Sequence, residues 1–253
     1  MSVLVGIYVK NIEEYLPTLL LELQNLDLPK GSRVAFIYGR SRDSTLELLE
    51  TLKLRNTEVE IYREPGDLML KKYGLPMSAS IFSDWKELIK EDYFLYLDKD
   101  LIKIPSNLVD KLIEAIDLGG DIVAPFVWSE DYKYFYDHFY FRIYNRPFHP
   151  TLPPGKDYDV PIVVDSVSTC FLATREVFLR ASIDNPYPTI ALCFNARSMG
   201  YRVLALPYLE VIHRDVPMEI LPSSFGRYPF GSPISVDEKI ETIGEPSIKE
   251  LEI

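Results

Sequence analysis

The chain has 253 residues and a formal net charge of −11, a length that suits one domain or one domain with an appendage. Its composition, 47% hydrophobic and 26% charged, is that of a globular protein and excludes wholesale disorder. No apolar run approaches the ~20 residues of a membrane span, and the acidic balance argues against nucleic acid as a partner.

Val3 to Val9 is a short apolar run rich in β-branched residues and reads as a buried strand. Asn11 is placed as an N-cap, with Glu13 and Glu14 in a first turn that favours anions. Leu16, Leu19, Leu20, Leu23 and Leu26 follow at helical spacing, until Pro29 and Gly31 break it. Val34 to Tyr38 predicts a second strand. The polar turn Ser41-Arg42-Asp43-Ser44-Thr45 leads into a second helix, and Val59 to Tyr62 predicts a third strand. After a loop with Pro65, Gly66, Gly74 and Pro76, a helix is expected over Ser78–Lys90, then the apolar strand Tyr93–Leu97. Pro105 is expected to open the next helix, which Gly119-Gly120 stops. Asp121 to Val127 reads as a strand. Such strand–helix alternation predicts a mostly parallel sheet with helices on its faces.

The composition then changes. Trp128 to Phe148 carries nine Tyr and Phe residues after Trp128, with His138 inside it and His149 just beyond. Neither period 2 nor period 3.6 persists through it, and prolines make its second half a loop. Regular patterns resume with a strand over Val163–Ala173, a short helix over Thr174–Ala181, and a helix from Pro188 to Met199 with Gly200 as C-cap. Two short strands, Tyr201–Leu206 and Leu209–Ile212, complete the pattern. Residues 1–215 read as the domain, and 216–253 as a Pro-punctuated tail that packs on it or is partly mobile. Cys170 and Cys193 lie in apolar surroundings and read as buried small hydrophobes. The first residues enter a strand with no visible leader, so a cytoplasmic location is the expectation.

Asp98-Lys99-Asp100 is the sharpest local signal. Ligands of open α/β sheets bind beyond the carboxyl ends of strands. Two carboxylates leaving a buried strand there can hold Mn²⁺ or Mg²⁺, which favour oxygen ligands, against a diphosphate. Alone, the tripeptide more often marks a solvated turn; its position after an apolar strand raises its weight.

Several motifs in fixed order carry a family resemblance. Gly6-Ile7-Tyr8-Val9-Lys10-Asn11 with Glu14-Tyr15-Leu16, the Ser41–Thr45 stretch, Phe94–Asp100, Asp165 with Cys170–Phe178, and Ala196-Arg197-Ser198-Met199-Gly200-Tyr201-Arg202-Val203 with Pro207 and His213 all contribute. From Val3 to Asp215 the chain resembles a nucleotide-sugar glycosyltransferase of the GT-A fold, family-2-like. The resemblance implies a Rossmann-related, mostly parallel central sheet and metal-dependent sugar transfer from a nucleotide-sugar donor. The acceptor is a saccharide, lipid-linked or protein hydroxyl.

It also implies roles. Asp98, Asp100 and His213 hold the metal, with Asp98 also reaching the donor. Tyr38 and Asp43 lie near the nucleotide, and Lys71, Lys72 or Arg214 help to neutralise the diphosphate. Trp128 and Tyr132 receive the acceptor, because aromatic rings stack on sugar faces and Tyr and Trp hydrogen-bond their edges. The chain departs from the pattern twice. Tyr38-Gly39-Arg40 stands where an Asp usually follows the second strand, and Pro188-Thr189 where an acidic pair supplies the general base. Either Asp165, the preferred substitute base, or Asp184 takes that role, or the transfer is retaining, or the chain is inactive. Each residue also has a bland reading: Asp43 as a helix cap, His213 as a packed histidine, Asp165 as a turn residue, and the aromatics as a subcore. A phosphohydrolase with the DxD as nucleophile motif and a non-catalytic nucleotide- or sugar-binding module are the rival functions.

Overall fold

The computed structural model describes residues 1–54, 57–63, 77–132, 135–136, 142–143, 146–147, 160–183 and 188–214, with backbone alone at 77–80, 142–143 and 146–147. The expectations for Lys71, Lys72, His138, His149, Asp184 and the 216–253 tail lie outside the described residues.

In chain order the elements are β1 (Val3–Val9), α1 (Leu16–Asn25), β2 (Arg33–Tyr38), α2 (Thr45–Glu50), β3 (Glu58–Arg63), α3 (Met77–Leu88), β4 (Tyr93–Leu97), β5 (Leu101–Lys103), α4 (Leu108–Asp117) and β6 (Ile122–Ser129). A small ribbon of β7 (Arg142–Ile143) and β8 (Arg146–Pro147) follows. The chain continues with β9 (Ile162–Val163), β10 (Cys170–Thr174), α5 (Arg175–Arg180), α6 (Pro188–Ser198) and β11 (Val203–His213).

The main sheet is ordered β3-β2-β1-β4-β10-β6-β11-β5, with β9 paired to β11. β1 to β4, β6 and β11 share one direction, while β5, β9 and β10 oppose it. The fold is thus a Rossmann-like, mostly parallel sheet flanked by helices. Its inner strands β1, β4 and β6 are largely apolar on both faces because both faces are covered. Val3, Val5, Ile7 and Val9 point with Phe36, Leu95 and Leu97 into one core under α1 and α4. Leu4, Ile37 and Phe94 point the other way, into a core with Trp85, Phe178, Leu192 and Cys193. That second core is aromatic: Phe94 and Phe178 stack at 3.9 Å between centroids. Gly6 makes room for it, since a Cβ there would come within 2.6 Å of Phe94 and 2.9 Å of Trp85.

The two cysteines are free, buried, and on opposite faces of the sheet. Burial pushes the Cys193 thiol up to about 12, so it is inert packing.

Several local expectations need correction. Asn11 does not cap α1. It takes a left-handed φ of 50° and its Oδ1 accepts from the Arg42 amide at 2.9 Å. The helix instead begins after Tyr15, with Pro17 in its first turn. Pro105 precedes α4 in a turn, and Asn107 is the residue before the helix. The strand expected over Val163–Ala173 is two, β9 and β10, joined by a buried polar stretch from Asp165 to Thr169. The two strands expected after Tyr201 are one, β11, with a register shift between Leu206 and Glu210. The aromatic segment is, where described, partly core: Phe126, Trp128 and Phe135 lie 5.0–6.3 Å apart.

Candidate metal centre at the carboxyl ends of the strands

β1 and β4 are neighbours in the sheet, yet β1 leads outward to β2 and β3 while β4 leads to the other half. This reversal of winding direction is where open α/β sheets bind ligands. Asp98 and Asp100 leave β4 at that point. The Asp98 amide donates to the Thr169 carbonyl at 3.0 Å, which ties the motif to the start of β10. On the far side, β11 ends at His213, opposite Ser129 of β6 and Leu101 of β5. The Arg214 amide donates to the Asp100 carbonyl at 2.9 Å, so the end of β11 and the acidic turn are stitched together.

One ligand atom each from Asp98, Asp100 and His213 lies within 4.8 Å of the others. His213 is fully buried. Its Nδ1 is 2.6 Å from the Arg214 carbonyl. A carbonyl only accepts, so Nδ1 carries the proton. Among the described residues Nε2 finds no hydrogen-bond partner, and it faces Asp98 Oδ2 at 3.6 Å. A lone pair held against a carboxylate in a buried setting is unfavourable unless a proton or a cation sits between them. A divalent cation satisfies both, and Asp100 as well. Two carboxylates and an imidazole are a donor set that Mn²⁺ or Mg²⁺ accepts. The residues therefore fit the ion.

The electrostatics agree. Burial pushes the Asp98 carboxyl up; a proton on His213 Nε2, with Lys99 and the Lys99 amide, outweighs that and holds it at about 2, and a cation in that proton's place would act in the same direction. Burial pulls the Lys99 ammonium down, but Asp98 and Asp100 outweigh that and keep it above its usual range. Lys99 is ion-paired to Asp100. Tyr136 stacks on the imidazole at 3.6 Å between centroids and 16° between planes. Sequence reading singled out neither Tyr136 nor the Nδ1 contact. Only a plentiful aromatic segment hinted at the first, and the second is a backbone feature.

The remaining predicted residues are placed as follows. Asp43 accepts from the Glu13 amide at 3.1 Å and the Thr45 amide at 3.2 Å. Burial pushes its carboxyl up, yet these bonds and that of the Thr45 hydroxyl bring it below the ordinary range. It fastens the loop after β2 to the loop after β1. The Tyr38 hydroxyl accepts from the Ser41 amide at 3.1 Å, and its ring packs partly on the core. Asp165 is buried, and its Oδ1 is 2.7 Å from the Arg197 guanidinium of α6. Arg214 lays its guanidinium over the Tyr15 ring at 4.0 Å, and its buried Nε has no partner among the described residues. Trp128 is fully buried against Phe126 and Phe135, so its face is not open to a sugar, contrary to expectation. Tyr132 is 36% exposed and holds a left-handed φ of 57°.

No protein-family model matches the chain. No curated protein does either. Solved structures do. A Staphylococcus aureus TarS fragment, residues 1–349, aligns at TM-score 0.57 and 16% identity, over 85% of this chain and 60% of that one. The same fragment in complex with UDP-GlcNAc aligns at TM-score 0.55 and 16% identity, over 86% and 59% of the two chains. Glucosyl-3-phosphoglycerate synthase from Mycobacterium tuberculosis, in complex with Mn²⁺, UDP-glucose and phosphoglyceric acid, aligns at TM-score 0.58 and 15% identity, over 86% and 73%. The alignments span 37–61% of the TarS chains. The expected membership of a GT-A, family-2-like family is corrected accordingly. No family model claims the chain, and at 13–17% identity these structures support the Rossmann-like fold and no family name. Among the described residues no helix is long and apolar enough to cross a membrane.

Proposed function

We propose that the chain transfers a sugar from a nucleotide-sugar donor to an acceptor hydroxyl, with Mn²⁺ or Mg²⁺ as cofactor. The observation that carries this reading is the buried His213 Nε2, without a partner among the described residues and close to two carboxylates at the mouth of the sheet. The structural neighbours support the ligand class, having been solved with UDP, UDP-GlcNAc, UDP-glucose, Mn²⁺ or Mg²⁺.

In such a transfer the acceptor oxygen bonds to the anomeric carbon, and the bond to the nucleoside diphosphate breaks. The departing diphosphate gains negative charge, which a divalent cation, when bound, would neutralise. Asp98, Asp100 and His213 would hold that ion. Arg214, stitched to Asp100 and carried on the Tyr15 ring, supplies a second positive charge to the same end of the sheet. Lys99 tempers the repulsion between the two carboxylates. For the acceptor proton we assign Asp165, supported by its burial, its fixed orientation on Arg197, and its place four residues before Thr169, which holds Asp98. The loop clamp of Asn11, Glu13 and Asp43 borders the carboxyl ends of β1 and β2 and would support the nucleotide end of the donor.

The test is a panel of nucleotide sugars, uridine donors first, incubated with the protein and Mn²⁺ and scored for release of nucleoside diphosphate. Wild type is expected to turn over at least one donor in a metal-dependent way, and Asp100→Ala to lose that. Absence of metal-dependent turnover across the panel, together with no metal-dependent nucleotide binding, would overturn the reading.

A further inference from the structure

A cavity of about 590 Å³ lies beside the candidate centre, between α4 and the bulged half of β11. Its floor is Leu209 and Ile212, and its walls carry Tyr132, Tyr208, Lys103 and Glu210. Two backbone irregularities converge on it. The register shift between Leu206 and Glu210 breaks the alternation of β11 and leaves Tyr208 41% exposed. Bulges are a common means of re-aiming side chains beside sites. Tyr132, which also lines it, is held at a φ of 57° by a turn in which its amide donates to the Ser129 carbonyl at 2.9 Å. A bulky residue in that region is uncommon and costs energy. The molecule keeps two tyrosines part-exposed in one groove, at some expense to backbone geometry.

The groove adjoins the metal centre along the strands. Ser129, which anchors the Tyr132 turn, is the register partner of His213, and Ile212 of the floor precedes His213. From Tyr208 to His213 the strand extends about 16 Å at the rise of a β-strand. The charges nearly cancel: Lys111 and Glu114 at the rim pair at 2.7 Å, and Lys103 faces Glu210. A polyanion would gain no net attraction here. A neutral, hydroxyl-rich chain with apolar ring faces finds aromatic platforms and both donors and acceptors.

We propose that this groove binds a neutral oligosaccharide, the body of the acceptor, and delivers its end to the metal centre. Tyr132 and Tyr208 are the stacking residues, and Glu210 and Lys103 hydrogen-bond ring hydroxyls. The proposal rests on the glycosyl-transfer reading for its purpose, but not for its test. An array of immobilised neutral oligosaccharides and phosphodiester-linked glycans would be probed with wild type, Tyr208→Ala, Tyr132→Ala and Glu210→Gln. Binding of Mn²⁺·UDP would be measured in parallel.

Wild type is expected to retain neutral oligosaccharides, with Tyr208→Ala and Tyr132→Ala each weaker by up to about tenfold, the scale of one lost aromatic contact. Because Tyr208 is part-exposed on a strand and far less embedded than the core rings, its truncation leaves the fold intact. Retention that Tyr208→Ala and Tyr132→Ala both leave unchanged would overturn the proposal. So would retention of phosphodiester glycans alone, or of no glycan. Oligosaccharide binding without any Mn²⁺·UDP binding would leave the groove standing and defeat the transfer reading instead.

Discussion

Replacing Tyr136 by Leu removes the ring lying 3.6 Å from the His213 imidazole at 16°. That ring fixes one face of the imidazole, while the Nδ1 contact to the Arg214 carbonyl fixes its rotation. Leu keeps apolar bulk but cannot hold the plane. A stacked aromatic pair contributes about 0.5–1.5 kcal/mol beyond its buried area. Groups that orient a metal ligand typically change affinity by about 10–100-fold. The loss of stacking alone corresponds to roughly two- to tenfold, and loss of orientation adds to it, so Mn²⁺ affinity is expected to fall about tenfold or more. Tyr136→Phe preserves the stacked ring and is expected to stay within about threefold of wild type, since it loses no aromatic contact with His213. The assay is titration of Mn²⁺ followed by the electron paramagnetic resonance signal of the free aqueous ion, alongside a thermal melt of each variant. Equal Mn²⁺ affinity in wild type and Tyr136→Leu, with both folded, would refute the claim that the stack orients a ligand.

Gly6→Ala places a methyl within 2.6 Å of the Phe94 ring and 2.9 Å of Trp85. Overpacking of that kind costs about 1–3 kcal/mol, to be read as a lower denaturant midpoint. Arg33 is buried and bonded to Glu91 at 2.6 Å, so Glu91→Ala strands a buried guanidinium and is expected to cost about 3 kcal/mol, softened by Glu60. For pH, burial pushes the Glu91 carboxyl up, but Arg33 and the Lys90 amide bring it below its ordinary range. Its contribution is therefore present above the ordinary carboxylate range and lost as pH falls through the depressed folded value. Glu91→Gln is expected to flatten the acid limb of a stability-versus-pH curve, and an unchanged acid limb would contradict this. Asp165→Asn is expected to retain Mn²⁺·UDP affinity while transfer to acceptor falls by about 10²–10⁴-fold, the range for loss of a general base. A Mn²⁺·UDP affinity that falls along with transfer would contradict that role.

The strands were the most legible part of the chain. β1 and β4 are expected and found over the same residues, because apolar runs buried on both faces leave little freedom in where they begin and end. The reversed strand β10 was not legible as reversed, since a strand's direction is set by its pairing with β4 and β6 and not by its own residues. β5 escaped notice because three residues carry no period. Asn11 shows the limit of local rules. It has the identity and position of a cap, but the close approach of the loop after β2 gives its side chain another partner. At the candidate centre, Asp98 and Asp100 were readable from two carboxylates at the end of an apolar strand. His213 became readable only through resemblance, since 112 intervening residues separate it from Asp100. Trp128 looked like a sugar platform from its residue type and the resemblance. Its burial follows from its place in β6, whose eight residues are all interior.

The central claim is that Asp98, Asp100 and His213 form a cation site that holds a nucleoside diphosphate. Calorimetric titration of UDP into the protein, with Mn²⁺ and again with EDTA, tests it most directly. Binding that requires Mn²⁺ in wild type and is lost in Asp100→Ala is the predicted result. UDP binding of equal strength in Mn²⁺ and in EDTA, or none in either, would contradict it.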